Sequence, residues 1–131
     1  MEVYRIEHGE TGRGPYFSQE GVMSELDNAT GRKWREPSNI HPHPADEWGW
    51  EFVDDEIMVY GRWLFGFLNF EQYMDWFYSP KIRNILKKYG YVLKVYKVGG
   101  WHVKKTARQV IFKKEKSECV RTLCPLTMEK M

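Results

Sequence analysis

Asn69-Phe70-Glu71-Gln72-Tyr73-Met74-Asp75-Trp76-Phe77-Tyr78-Ser79-Pro80-Lys81-Ile82-Arg83-Asn84-Ile85-Leu86-Lys87-Lys88-Tyr89-Gly90, running straight into Tyr91-Val92-Leu93-Lys94-Val95-Tyr96-Lys97-Val98, decides the fold class. Asn69 is a good N-cap, and Gln72 stands in capping-box position three residues later. Phe70, Tyr73, Met74 and Phe77 follow at helical spacing, which predicts an amphipathic helix of about two and a half turns. Ser79 caps a second helix and Pro80 takes its first position. Ile82, Ile85, Leu86 and Tyr89 form its apolar stripe, and Gly90 stops it. Residues 91–98 then read as a mostly buried strand, apolar on both faces apart from Lys94 and Lys97.

Outward from this centre, Val3-Tyr4-Arg5-Ile6-Glu7-His8 alternates as a first strand. Tyr4, Ile6 and His8 share one face; Val3, Arg5 and Glu7 share the other. Gly12, Gly14 and Pro15 break it and permit close backbone approach. Residues 19–62 form a long irregular segment with turns at Asn28-Ala29-Thr30-Gly31 and Glu36-Pro37-Ser38-Asn39. Residues 57–60 and Leu64 to Phe67 are candidate short strands. Gly99-Gly100 turns the chain, residues 108–112 make a last strand, and residues 117–131 read as a C-terminal tail. The expected architecture is α+β, a small single domain over residues 1–131 with an antiparallel or mixed sheet and a central helix pair.

At 131 residues with 42% apolar and 16% aromatic content, one compact domain can build its own core. No stretch approaches the roughly 18–20 apolar residues that span a bilayer, so no membrane is expected. There is no secretion signature. Cys119 and Cys124 are too few for a disulfide framework and read as small apolar side chains. Lys116 and Arg121 would favour a thiolate at Cys119. The expected setting is a reduced cytoplasm.

The net charge of +2 hides an uneven distribution. Residues 46–56 carry six acids and no base, whereas residues 81–116 carry twelve bases and one acid, Glu115. Such asymmetry can steer an anionic partner, join two halves of one fold, or simply solvate two faces. Lys94, Tyr96, Lys97, Trp101, His102, Lys104, Lys105 and Arg108 interleave bases with aromatics, a pattern that can follow a phosphate backbone. The near-balanced charge disfavours nucleic acid, and an acidic protein would fit the same surface. His41 and His43, with Asp46 and Glu47, offer two imidazoles and a carboxylate. No third ligand is set by spacing, so a proline-stiffened loop is preferred and no metal is expected.

Taken in order, the motifs resemble the ADP-ribosyltransferase fold. That resemblance implies an NAD site anchored by His8 or Arg5 at the end of the first strand. Phe65-Gly66-Phe67, before the Asn69-capped helix, would stack on the nicotinamide, with Tyr16 as the alternative aromatic. Gly14 would let backbone amides meet the pyrophosphate. Gln109 would take the place of the family's glutamate and orient the ribose. A glutamine lacks the charge that stabilises an oxocarbenium-like transition state, so the departure weakens transfer more than binding. Each residue also has an architectural reading: His8 caps a strand, Phe65 and Phe67 are core, and Gln109 lies at the surface.

Val-Tyr-Arg-Ile-Glu-His with Gly-Pro-Tyr, the Phe-Gly-Phe stretch and Val-Tyr-Lys-Val also resemble small uncharacterised proteins encoded by phages and prophages. That likeness implies action on host enzymes or defence systems, by modification or by occlusion. In the occluding version a host protein is the partner. Its contact surface would be the acidic segment 46–56 with Trp48, Trp50 and Phe52.

Overall fold

The computed structural model describes residues 1–15, 21–31, 34, 48 and 63–131. In chain order the elements are β1 (Glu2–His8), α1 (Val22–Thr30), β2 (Leu64–Gly66), α2 (Phe70–Trp76), α3 (Pro80–Lys88), β3 (Tyr91–Val98), β4 (Val103–Lys105), β5 (Val110–Phe112) and β6 (Ser117–Leu123). The strands form two three-stranded sheets, in the orders β1-β3-β6 and β2-β5-β4. Every pairing is antiparallel. The class is therefore α+β.

The helix pair follows from its caps. The Asn69 side chain accepts from the Gln72 amide at 2.9 Å, and Ser79 accepts from Ile82 at 3.2 Å. Gln72 reaches back one residue beyond the usual capping box, accepting from the Leu68 amide at 2.9 Å. The helices bury Tyr73, Trp76, Ile82 and Leu86 against Ile6, Tyr91, Leu93 and Val95 of the larger sheet. That sheet's other face meets the smaller sheet through Val3, Tyr96, Val98, Val110 and Phe112. So β1 and β3 are covered on both sides.

The two sheets are joined where Tyr4 and Phe67 exchange backbone hydrogen bonds of 2.7 and 2.6 Å. Gly66 makes that junction possible. A Cβ there would lie 2.6 Å from Val3 Cγ1 and 2.9 Å from the Tyr4 carbonyl.

Three expectations are corrected. Residues 22–30, inside the segment read as irregular, form α1, which buries Val22 and Leu26. It lacks an N-cap side chain, and its apparent turn at Asn28–Gly31 is its C-terminus, closed by Gly31 at φ 70°. Residues 117–123, read as tail, form β6 along β3. The chain then folds back, with a bridge between Leu123 and Lys130. Only Leu123 of its seven residues is buried, so hydrophobic periodicity is silent and backbone pairing holds it. Finally, β5 is preceded by an unanticipated partner, β4, and is not the last strand. The candidate strand at 57–60 lies outside the described residues. No helix among the described residues is long and apolar enough to cross a membrane.

Gly66→Ala is expected to lower stability by about 1–3 kcal/mol, because Val3 and the Tyr4 backbone must both shift. Gly100→Ala, where a Cβ would meet nothing within 4 Å, should stay within about 0.5 kcal/mol of wild type. Urea unfolding of both variants measures the difference.

Candidate functional site

Alternation on β1 sends Arg5 and Glu7 into the space between the sheets, where they are 7% and 0% exposed. A carboxylate taken fully out of water needs compensating charge and hydrogen bonds. The register supplies them by setting Arg5 opposite Lys94 and Val3 opposite Tyr96. The Tyr96 hydroxyl donates to Glu7 Oε1 at 2.5 Å. Arg5 Nε lies 3.6 Å from the same oxygen. Lys94 Nζ and Lys114 Nζ approach Oε2 at 3.6 and 3.7 Å. Lys114 also sits 5.8 Å over the Tyr96 ring. Glu7 Oε2 and Arg5 Nε make no hydrogen bond among the described residues. Three cations thus surround one anion.

Electrostatics follows the burial. Burial pushes the Arg5 guanidinium below its usual value, against the opposing charges of Glu7 and Tyr96. Burial, then the hydrogen bond to Glu7 and its charge, push the Tyr96 phenol far above its usual value.

The glycine turn lies directly over this cluster. A Cβ on Gly12, at φ +71°, would be 3.3 Å from Glu7 Oε2 and 3.4 Å from Lys114 Nζ. One on Gly14 would be 3.4 Å from an Arg5 guanidinium nitrogen. Arg5 also donates to the Phe65 carbonyl at 2.9 Å. The structure therefore brings together Arg5, Gly14 and the Phe65 backbone. Glu7 is the member that sequence reasoning missed, since a charge alternating with Ile6 and His8 reads as solvated.

His8 lies on the opposite face. Its Nδ1 accepts from the amides of Glu10 and Thr11 at 3.2 and 3.4 Å. Its ring packs on Gly90 and edge-on to Tyr91 at 5.5 Å. Phe67 is 7% exposed and surrounded by Tyr73, Trp76 and Phe77. Gln109 is 4% exposed, which overturns its reading as a surface residue. Its amide donates to the Thr106 hydroxyl at 3.3 Å, and its carbonyl accepts from the Thr106 amide at 2.9 Å. Val110 pairs with Gly66, so Gln109 stands at the Phe67 end of the fold. His8 is four residues along β1 from the Tyr4–Phe67 bridge, or roughly 13 Å at strand rise. His8 and Phe67 thus stand well apart along β1. Tyr16 lies outside the described residues.

Lys114 connects the buried cluster to the surface. It belongs to the turn Lys113-Lys114-Glu115-Lys116 between β5 and β6. The Lys113 amide donates to the His102 carbonyl at 3.1 Å, clamping this turn to the β3–β4 turn. At the tip of the latter, Trp101 is 96% exposed. Residues 97–116 hold seven bases and one acid, Glu115. The sequence located the turn at Gly99-Gly100 but carried no sign that the indole next to it is bare.

Elsewhere, a cleft of about 230 Å³ is lined by Gln72, Asp75, Trp76, Ala107 and Arg108. Cys119 and Cys124 are free. Burial raises the Cys124 thiol, but hydrogen bonds from the Thr127 hydroxyl and the Thr127 and Leu126 amides outweigh it and hold it below its usual value. No group of three metal-ligating side chains occurs among the described residues; His41, His43, Asp46 and Glu47 lie outside them. So does the acidic segment, apart from the half-buried Trp48, whose ring is 6.3 Å from Phe65.

Glu7→Gln is expected to cost about 3–5 kcal/mol, since it leaves Arg5 buried without its counter-charge. Adding Arg5→Met should recover most of that, because both lysines can turn to solvent. Chemical denaturation of the single and double variants decides it. Stability is also expected to fall as pH rises above about 10, where an unfolded tyrosine loses its proton and native Tyr96 and Tyr73 keep theirs. Tyr96→Phe should flatten the alkaline slope of the urea midpoint.

A family model described as "Bacteriophage T4 Y00F protein" matches residues 1–125. No curated protein and no solved structure matches.

Proposed function

This chain belongs to the bacteriophage T4 Y00F protein family, and we propose that it acts by binding a host macromolecule in the host cytoplasm, without catalysis. The observation that carries this reading is Trp101, 96% exposed at the tip of a turn clamped beside a lysine-rich one. A bare indole held on an ordered turn is the usual form of an interface anchor. It contributes nothing to this fold's own core, so its use is external. A host enzyme or defence factor is the class of target that suits a small phage protein of this kind.

The convergence of Arg5, Gly14 and the Phe65 carbonyl supports a second reading, an NAD or ADP-ribose site of the ADP-ribosyltransferase type. Against it stand the Nδ1 of His8, already accepting two amides, and the separation of His8 from Phe67. One pair of measurements separates the readings. Affinity capture from host extract should retain a component on the wild type that Trp101→Ala loses. Calorimetric titration with NAD up to about 1 mM should give no saturable heat. Equal capture by the variant, or saturable NAD binding, would favour the second reading.

A further inference from the structure

We infer that the partner surface met by Trp101 is an acidic patch of a protein, an inference that rests on the binding reading above. Three observations select this chemistry. First, exposed cations lie on the elements adjacent to the indole, Lys105 on β4 and Lys116 on the neighbouring turn, while Lys104 and Lys113 stand over the Trp63 ring at 5.6 and 5.3 Å. An apolar anchor flanked by charge suits the core-and-rim layout of a protein interface. Second, acids interrupt the cations. Glu115 lies inside the lysine turn, Glu118 pairs with Lys97 across β3 and β6, and Glu2 holds Arg121 through contacts of 2.7 and 2.9 Å. A continuous phosphate backbone would be repelled at those points, whereas discrete carboxylates on a protein can be spaced to avoid them. Third, among the described residues Trp101 has no exposed aromatic companion on the two turns. The other exposed large hydrophobics among the described residues are Met1, Phe70, Tyr78, Val120 and Met131, all outside the two turns. Sequence-tolerant binding of single strands uses successive stacking rings, and one ring gives one stacked base. One ring entering an apolar pocket is sufficient for a protein partner.

The clamp explains why this surface needs no ordering on contact. The Gly99–Val103 turn is closed by the His102 amide on Gly99 at 2.9 Å and tied to Lys113 at 3.1 Å. Lys114, next to Lys113 on the β5–β6 turn, reaches toward buried Glu7 at 3.7 Å. The indole is therefore presented on a braced base, which lowers the entropy lost on docking.

The test uses the full chain and two labelled probes of about 20 units each. One is a Glu/Leu peptide, carboxylates with apolar side chains between; the other is a single-stranded oligo-dT. Anisotropy is read at about 0.15 M salt. The peptide is expected to saturate, to weaken about 30-fold with Trp101→Ala, and to weaken about tenfold with Lys105→Glu plus Lys116→Glu. Oligo-dT should bind more weakly than the peptide. An oligonucleotide that binds as tightly or more tightly would overturn the inference in favour of nucleic acid. A peptide affinity untouched by Trp101→Ala would overturn it in favour of charge alone. If neither probe binds while host capture still depends on Trp101, the acidic partner is wrong and the binding reading survives. Capture that does not depend on Trp101 sinks the binding reading itself.

Discussion

The buried carboxylate of Glu7 is the constraint on which the rest depends. It is fully enclosed, and the four groups that compensate it come from three parts of the chain: Arg5 from β1, Lys94 and Tyr96 from β3, Lys114 from the β5–β6 turn. Shifting β1 against β3 by one residue would send Lys94 and Tyr96 to the helical face, and leave Glu7 buried among apolar groups. The penalty for that arrangement is far larger than any loss of ladder hydrogen bonds. The ion cluster is thus a register lock more than a source of net stability, since an apolar set of the same volume would hold the sheets together as well.

The lock also dictates how the ends of the strands are treated. Gly12 suits the turn after β1, since its φ is +71° and a Cβ there would lie 3.3 Å from Glu7 Oε2, while a Cβ on Gly14 would only touch the Arg5 guanidinium. His8 serves the same turn from the other face by accepting two of its amides. Edges are handled by backbone as well. Phe67 bridges the outer side of β1 at Tyr4, and residues after β6 fold back along it at Lys130. Among the described residues these bridges cover one position on each outer strand of the larger sheet.

What could be read in the sequence was whatever repeats with a period. The helices α2 and α3 announce themselves through spacing and caps, and β1 and β3 through alternation or continuous apolarity. What could not be read was held by backbone pairing or by charge. β6 has no apolar face, and α1 begins at a glycine with no capping side chain. Glu7 and Gln109 are polar residues buried by tertiary contacts that local patterning cannot report. Of the second sheet, β2 and β5 are legible as short apolar runs, but β4 is three residues with two exposed lysines, too short for any periodicity to be visible.

The same geometry explains why a resemblance that runs in order along the chain separates in space. His8 and Arg5 are interchangeable as first-strand anchors when position along the strand is all that is compared. Their parity differs, however, and parity decides which layer a side chain enters. Arg5 enters the layer of glycines, lysines and Glu7; His8 enters the layer of α3 and Tyr91. A ligand at the first meets cations and a buried acid, and a ligand at the second meets a ring already engaged by its own turn. Arg5, Lys94 and Lys114 face Glu7, and Lys104 and Lys113 stand over the Trp63 ring, whereas Lys105 and Lys116 are exposed on the elements beside Trp101. The proposed binding surface accordingly lies on the pair of turns beside the strands, one of which reaches the buried carboxylate through Lys114.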